Sequence, residues 1–128
     1  MKFSILIFIV VILTSCRPEV VLNKKLNGEW ALRSINGNAL ADGYSEVFRF
    51  EEDKAEGDIT ITEITNGLAA VKKGTYALVK SSNITVAIPN NSSEYPYDIT
   101  VYDVVKSTKN DLELLRFSDS FVFVYGKN

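Results

Sequence analysis

Most of the chain after residue 27 alternates between apolar and polar positions with a period of two. The segment "EVFRFE" is typical, because Phe48 and Phe50 fall on one face and Arg49 and Glu51 on the other. A period of two with many β-branched and aromatic residues predicts strands that are buried on one face. About eight segments follow this pattern, and the residues predicted to face inward are Trp30, Leu32, Phe48, Phe50, Ile59, Ile61, Tyr76, Leu78, Ile84, Val86, Ile88, Ile99, Val101, Leu112, Leu114, Phe121, Phe123 and Tyr125.

Short segments rich in Asn, Gly, Asp and Ser separate these predicted strands. Such residues supply the backbone bends of tight turns, and Asn36-Gly37 and Asn66-Gly67 are clear examples. Residues 36–43 and 89–96 form the two longer connections. No later segment of helix length has a 3.6-residue period. The predicted fold class is therefore all-β.

Short strands joined by tight turns predict an antiparallel meander, which has two exposed edges unless it closes. We therefore expect a small antiparallel up-and-down β-barrel of about eight strands, in preference to a sandwich. Such a barrel is just wide enough to be filled by side chains or to hold one small molecule. The inward aromatic residues are bulky, and they favour a packed interior over a cavity.

The last three predicted strands are apolar on both faces. A contiguous exposed apolar patch of more than a few hundred Å² usually marks a contact surface. Three explanations stay open: coverage by the preceding tether or by the segment "NALADGY", a dimer contact, or a contact with another protein. The residues predicted to form this outer apolar stripe are Tyr102, Val104, Leu115, Phe117, Val122 and Val124.

The chain begins with Met1-Lys2 and an apolar run at residues 3–13. A helix of about eleven residues is roughly 16 Å long, whereas the hydrocarbon core of a membrane is roughly 30 Å thick. The run is too short to span a membrane alone. A short basic start, an apolar centre and then the small residues Thr14 and Ser15 are typical of a secretory signal.

Leu13-Thr14-Ser15-Cys16 resembles a bacterial lipobox, and Cys16 is the only cysteine in the chain. The resemblance implies that residues 1–15 are a lipoprotein signal peptide, that Cys16 is acylated, and that residues 16–25 form a tether. Two or three acyl chains hold a protein on a membrane far more firmly than one. The alternative is a buried thiol in a core element, but a lone cysteine is unfavourable in an exported protein.

Charge and composition exclude several functions. The formal net charge is −2, and no basic stretch is longer than two residues, which argues against a nucleic-acid partner. The chain has no histidine, so the common catalytic triads and zinc sites have no imidazole. We find no catalytic constellation, and we expect a non-enzymatic protein without cofactor or metal.

"KLNGEWALRSING" resembles the entry strand of lipocalin-like bacterial lipoproteins, through Leu26, Gly28 and Trp30. Phe48, Phe50 and "KGTYAL" fit the same group, which implies that residues 26–128 form a lipocalin-like β-barrel domain. In that family the tryptophan closes one end of the barrel and often stacks on a basic side chain. Arg116 is the candidate partner here, and the alternative is that Trp30 is simply core and Arg116 faces water.

Together these features predict a membrane-anchored lipoprotein whose barrel binds a small apolar ligand or a protein at the cell envelope. Tyr44, Tyr95 and Tyr97 lie on the long connections and are the candidate ligand-binding residues at the barrel mouth. The alternative is a filled barrel that docks on an envelope complex through its outer stripe. Arg17 follows the cysteine where inner-membrane lipoproteins commonly have aspartate, so we expect an outer-membrane location, on the periplasmic face or the cell surface.

Overall fold

The computed structural model describes residues 26–53, 56–80 and 82–128, without the side chains of residues 52 and 53. The predicted signal peptide, Cys16 and most of the tether, residues 1–25, lie outside the described residues. All nine elements of the described part are β-strands. They are β1 (Gly28–Ile35), β2 (Asn38–Ala39), β3 (Tyr44–Asp53), β4 (Glu56–Thr65), β5 (Leu68–Val79), β6 (Asn83–Pro89), β7 (Tyr97–Ser107), β8 (Asp111–Arg116) and β9 (Val122–Lys127).

The strands form one antiparallel sheet that closes on itself. Their order is β2-β1-β3-β4-β5-β6-β7-β8-β9, and β1 also pairs with β9. This closing pair runs from Trp30 opposite Lys127 to Ile35 opposite Phe123. Because β2 is only a two-residue addition beside the end of β1, the eight longer strands make the barrel. The up-and-down β-barrel expected from the sequence is confirmed.

Two Asn-Gly pairs make two-residue turns, as the sequence predicts. Asn36 and Gly37 have φ angles of 52° and 77°, and Asn66 and Gly67 have 50° and 82°. Positive φ at both central residues suits a two-residue hairpin turn, and Asn and Gly tolerate it best. The first turn also supports closure, because the Asn36 backbone N–H donates to the Val122 carbonyl and the Val122 N–H donates to Asn36 Oδ1, both at 2.8 Å.

The barrel interior is apolar and aromatic along most of its length. Phe48 packs against Tyr125 with ring centroids 4.8 Å apart, and Phe50 meets the edge of Tyr76 at 5.0 Å. Most of the residues predicted to face inward are buried. The buried core consists of Leu26, Trp30, Leu32, Phe48, Phe50, Ile59, Ile61, Tyr76, Leu78, Ile84, Val86, Tyr102, Leu112, Leu114, Phe123 and Tyr125.

The prediction for β7 is wrong by one residue. Ile99 was expected to face inward but is 57% exposed, whereas Tyr102, expected outside, is 7% exposed. Apolar residues occur on both faces of this strand, so alternation alone does not choose between them. The register with β6 decides, because Tyr102 lies opposite the buried Ile84, and opposed residues share a face.

This shift changes the membership of the outer apolar stripe. Tyr102 and Val104 leave it, because Tyr102 is buried and Val104 packs against the core. Ile99, Val101 and Val105 take their place on the outer face of β7. We call the resulting surface the outer apolar face, and it consists of Ile99, Val101, Val105, Leu115, Phe117, Val122 and Val124.

Trp30 closes one end of the barrel. Its indole Nε1–H donates to the Leu26 carbonyl at 2.7 Å, and the side chain is fully buried. The cation over its ring is Lys127, whose Nζ lies 4.6 Å from the ring centroid. Gly28 makes room for it, because a Cβ there would lie 2.5 Å from Lys127 Nζ.

The expected partner, Arg116, is at the opposite end, with its guanidinium 4.7 Å from the Phe123 ring centroid. The pairing of Arg116 with Trp30 is therefore a wrong prediction. Residue 111, at the start of β8, pairs with Gly126 next to Lys127, and Arg116 ends the same strand. Five residues of a strand span roughly 16 Å, which separates the two side chains.

Replacing Lys127 tests this corrected pairing. Lys127→Met should lower the free energy of unfolding by about 1–2 kcal/mol, because it removes both the cation–π contact with Trp30 and the hydrogen bond from Lys127 Nζ to the Asn27 carbonyl. Chemical denaturation followed by the fluorescence of Trp30, the single tryptophan, measures it. Arg116→Met is the control, and it should leave the native emission spectrum of Trp30 unchanged. A change in that spectrum with Arg116→Met alone would contradict the assignment.

Candidate ligand-binding cavity

The end of the barrel opposite Trp30 is hollow. A half-open cavity of about 390 Å³ lies inside the strands there. Its floor is formed by core residues such as Phe48 and Val86. The expectation of a packed interior therefore holds for one half of the barrel only.

The inward positions change from apolar to polar along several strands. On β3 the inward residues are Phe50, Phe48, Glu46 and Tyr44, in order toward the cavity. The same change takes place on three other strands. Inward positions on a strand are two residues apart, and on each of these strands the inward residues nearest the open end are polar. These series are Ile59, Ile61 and Glu63 on β4, Val104, Tyr102, Thr100 and Asp98 on β7, and Leu112, Leu114 and Arg116 on β8.

Glu46 is the most enclosed carboxylate on the cavity wall. It is half-buried, and Tyr44 donates its hydroxyl proton to Oε2 at 2.8 Å. The Tyr125 hydroxyl donates to Oε1 at 3.3 Å. Burial is the main reason that the pKa of Glu46 lies above its ordinary value, and the nearby Glu63 raises it further. The two tyrosine hydrogen bonds and Arg116 act in the opposite direction.

The tyrosines of the cavity stay neutral over the physiological range. Burial raises the pKa of Tyr102 to about 12, and it also raises the pKa values of Tyr44 and Tyr125. Their hydroxyl groups therefore act as hydrogen-bond donors rather than as phenolates. The wall combines neutral aromatic groups with one enclosed carboxylate.

The two cations of the wall already have acidic partners. Lys72 Nζ lies 3.4 Å from Glu63 Oε1, and Arg116 makes two hydrogen bonds to Asp119, one of 3.1 Å and one of 2.5 Å. A further ion pair, Arg49 with Glu51, lies outside the cavity wall. None of them involves Glu46.

The wall has a gap beside β5. Only residues 75–79 of this strand pair with β6, whereas residues 68–74 pair with β4 alone. Gly74 stands where the two strands part, and a Cβ there would lie 2.2 Å from the Ala87 carbonyl oxygen. Beyond Gly74, Lys72 on one side and Ile88 and Asp98 on the other line the cavity. The cavity is therefore bordered by strands that diverge.

The structure places the predicted mouth residues in different surroundings. Tyr44 lines the cavity. Tyr95 and Tyr97 are 70% and 54% exposed, and Tyr97 points away from the cavity because its neighbour Asp98 is on the wall. Phe121, expected to be an inward strand residue, precedes β9 and is 41% exposed at the cavity rim. A role in ligand binding stays a prediction for all three tyrosines.

Sequence reasoning missed Glu46, although a signal for it exists. Glu46 stands two residues before Phe48 and four before Phe50, so the alternation that places the two phenylalanines inside also places Glu46 inside. The same reasoning applies to Glu63 after Ile61. A charged residue two positions away from a series of buried residues on the same strand therefore identifies the wall of this cavity.

A more open groove of about 590 Å³ lies along β4, β5 and β6, where Asp58, Thr75 and Thr85 line it. No helix among the described residues is long and apolar enough to cross a membrane. They also contain no group of three or more His, Cys, Asp or Glu side chains placed to hold a metal ion. The cavity is thus the feature from which a function is best argued.

The chain matches none of the protein-family models, and a search of curated proteins finds no similar sequence. The lipobox and lipocalin-like resemblances therefore stay predictions.

Glu46→Gln tests the energetic role of the enclosed carboxylate. Its raised pKa means that the fold favours the protonated form, so its stabilising contribution is present at low pH and is lost as pH rises through the folded pKa. Glutamine resembles the protonated form. We expect Glu46→Gln to raise the melting temperature at pH 7. The difference in melting temperature from the natural protein should shrink as the pH falls toward 4.5, the ordinary pKa of a glutamate side chain.

The control for this measurement is Glu113→Gln, on the outer face of β8. It replaces the same chemical group outside the barrel and should not reproduce the pH-dependent difference. Thermal unfolding followed by circular dichroism between pH 4 and pH 8 gives both curves. A Glu46→Gln variant that is less stable than the natural protein at pH 7 would contradict the prediction.

Proposed function

We propose that this protein is a non-enzymatic binding protein of the bacterial cell envelope that holds a small molecule in the open half of its barrel. The observation that carries the proposal is the cavity of about 390 Å³ with mixed aromatic and charged walls. Ligand pockets in proteins are typically about 300–1,000 Å³, mostly apolar, with a few placed polar groups. The cavity fits the small end of that range.

The wall chemistry modifies the ligand expected from the sequence. A purely apolar ligand would cover Glu46 and the hydroxyl of Tyr102 without offering them a hydrogen bond, and burial of polar groups away from water is unfavourable. The cavity is better suited to a molecule that has both an apolar part and a polar group. Phe121 and Phe123 would contact the apolar part at the rim.

The location rests on the N-terminal motif. A lipid on Cys16 and a tether of about nine residues would keep the barrel within roughly 30 Å of the membrane surface. Arg17 favours the outer membrane in this proposal. The membrane is then a partner through the lipid anchor, and the barrel stands free to bind its ligand.

Native mass spectrometry of the full chain in lipid nanodiscs tests the binding function and avoids detergent in the cavity. We expect a co-purified small molecule. Thr100→Trp, on the cavity wall, should remove it by filling the space. Thr60→Trp is the matched control, because Thr60 lies on β4 between the buried Ile59 and Ile61 and faces outward. Equal amounts of co-purified ligand in the wall variant and in the control variant would contradict the proposal.

A specific observation favours a second function, that of an interaction protein. Ile99, Val105 and Phe117 on the outer apolar face are each more than half exposed. If the natural protein carries no small molecule and sediments as a dimer or with an envelope protein, this second function is the better one. The same sample in the analytical ultracentrifuge gives that answer.

Removal of the cysteine tests the anchor. Intact-mass spectrometry of the natural protein should show acyl groups on Cys16 and no residues 1–15. Cys16→Ala should carry no acyl group and should leave the membrane pellet after fractionation. Ser15→Ala is the control, since it keeps a small residue before the cysteine and should stay membrane-bound. A Cys16→Ala protein that remains in the pellet would disprove the lipid anchor.

A further inference from the structure

We infer that the cavity takes a small organic cation, a protonated amine with an apolar body, whose ammonium group binds the Glu46 carboxylate. This inference rests on the proposed small-molecule function and names the class of ligand. It follows from the charges of the wall, the arrangement of the hydroxyls around Glu46, and the aromatic rings beside it.

The charges of the wall favour a cation. Lys72 is paired with Glu63, and Arg116 is paired with Asp119 outside the barrel end. An anionic ligand would have to compete with one of these carboxylates. Glu46, in contrast, has only neutral hydroxyl partners among the described residues. Asp98, the third carboxylate of the wall, accepts a hydrogen bond from the neutral Asn90 amide. The charged groups of the wall without an ion pair are therefore carboxylates, and Glu46 is the more enclosed of the two.

The hydroxyls hold Glu46 in a geometry that leaves room for a ligand. Tyr44 donates to one carboxylate oxygen and Tyr125 to the other, so both oxygens are fixed in position. An ionised carboxylate offers about four acceptor sites, and two of them remain. An ammonium group supplies up to three N–H donors and no acceptor, which matches the remaining sites.

The rings around Glu46 suit a cation as well as an apolar body. Tyr125 packs on Phe48, and Tyr102 meets the edges of Phe48 and Phe123 at centroid distances of 6.4 and 6.3 Å. Aromatic faces attract cations, and amine-recognition sites commonly use such rings. Beyond the carboxylate, Phe121 and Phe123 line the rim, and the Arg116 guanidinium lies over both rings, 5.7 and 4.7 Å from their centroids.

The energetics give a reason for a carboxylate at this position. The other half of the same barrel is filled by apolar side chains, so the fold itself does not require a charge inside. An enclosed carboxylate without a cation opposes folding. Departures of this kind from the stabilising pattern are expected at functional or strained sites. A ligand that carries the positive charge would supply the missing partner.

Isothermal titration calorimetry of the full chain in nanodiscs at pH 7 tests the inference with three probes. Phenethylamine is the cation, phenethyl alcohol its neutral analogue and hydrocinnamate its anionic one. We expect the amine to bind at least about tenfold more tightly than the alcohol, and the acid to bind more weakly than either. Glu46→Gln should weaken amine binding about ten- to a hundredfold, as expected for loss of a charge-assisted hydrogen bond.

Two controls separate this effect from damage to the fold. Glu113→Gln removes a carboxylate from the outer face and should leave the affinity for the amine unchanged. Glu46→Gln should weaken alcohol binding much less than amine binding, since the alcohol carries no charge for the carboxylate to compensate. Amine binding by the natural protein should also weaken as pH falls through the range in which Glu46 becomes protonated. The titratable groups that face Glu46 are Tyr44, Glu63, Tyr102, Arg116 and Tyr125.

The outcomes distinguish the inference from the proposed function. If amine and alcohol bind equally, or if Glu46→Gln has no effect, the cation inference is wrong while small-molecule binding stands. A co-purified ligand that is neutral or anionic also overturns it, and a co-purified amine supports it. If no probe binds and no ligand co-purifies, the proposed function and the inference both fail.

Discussion

Hydrogen bonding between β1 and β9 is the constraint on which the rest of this structure depends. It converts a meander with two free edges into a closed barrel. Eight strands enclose a space only about as wide as the side chains that point into it, so each inward position either fills the interior or leaves a hollow. The turn at Asn36 extends the closure through its two hydrogen bonds to Val122. Both the packed core and the cavity depend on this narrow enclosure.

The interior is divided into a packed half and a hollow half. Around Trp30, Phe50 and Tyr76 the rings and aliphatic chains pack against each other, and dense apolar burial of this kind is the main favourable contribution to folding. Toward the other end the same strands carry Glu46 and Tyr44 inward, and the packing gives way to a cavity. A single barrel thus has a half filled by apolar side chains and a half in which polar side chains line a cavity.

The cations at the two ends of the barrel differ in the same way. Lys127 lies on the indole ring at the closed end and adds to the packing there. Arg116 lies on Phe123 near the cavity and is bound to Asp119, so its charge is compensated. Glu46 has hydroxyl partners but no cation among the described residues. The cavity is therefore distinguished by a carboxylate that has no ion pair, and less by the number of its charged side chains.

The sequence by itself determined the all-β class, the approximate number of strands, the Asn-Gly turns and most of the core, because a period of two fixes which residues share a face. It also contained the register that places Glu46 beside Phe48. Tertiary structure alone decided the face of β7, where both faces are apolar and only the pairing of Tyr102 with Ile84 selects one. It decided likewise that Lys127, and not Arg116, meets Trp30, and that the interior is hollow at one end. These features depend on which residues closure brings to the same level of the barrel, and alternation along one strand carries no information about that level.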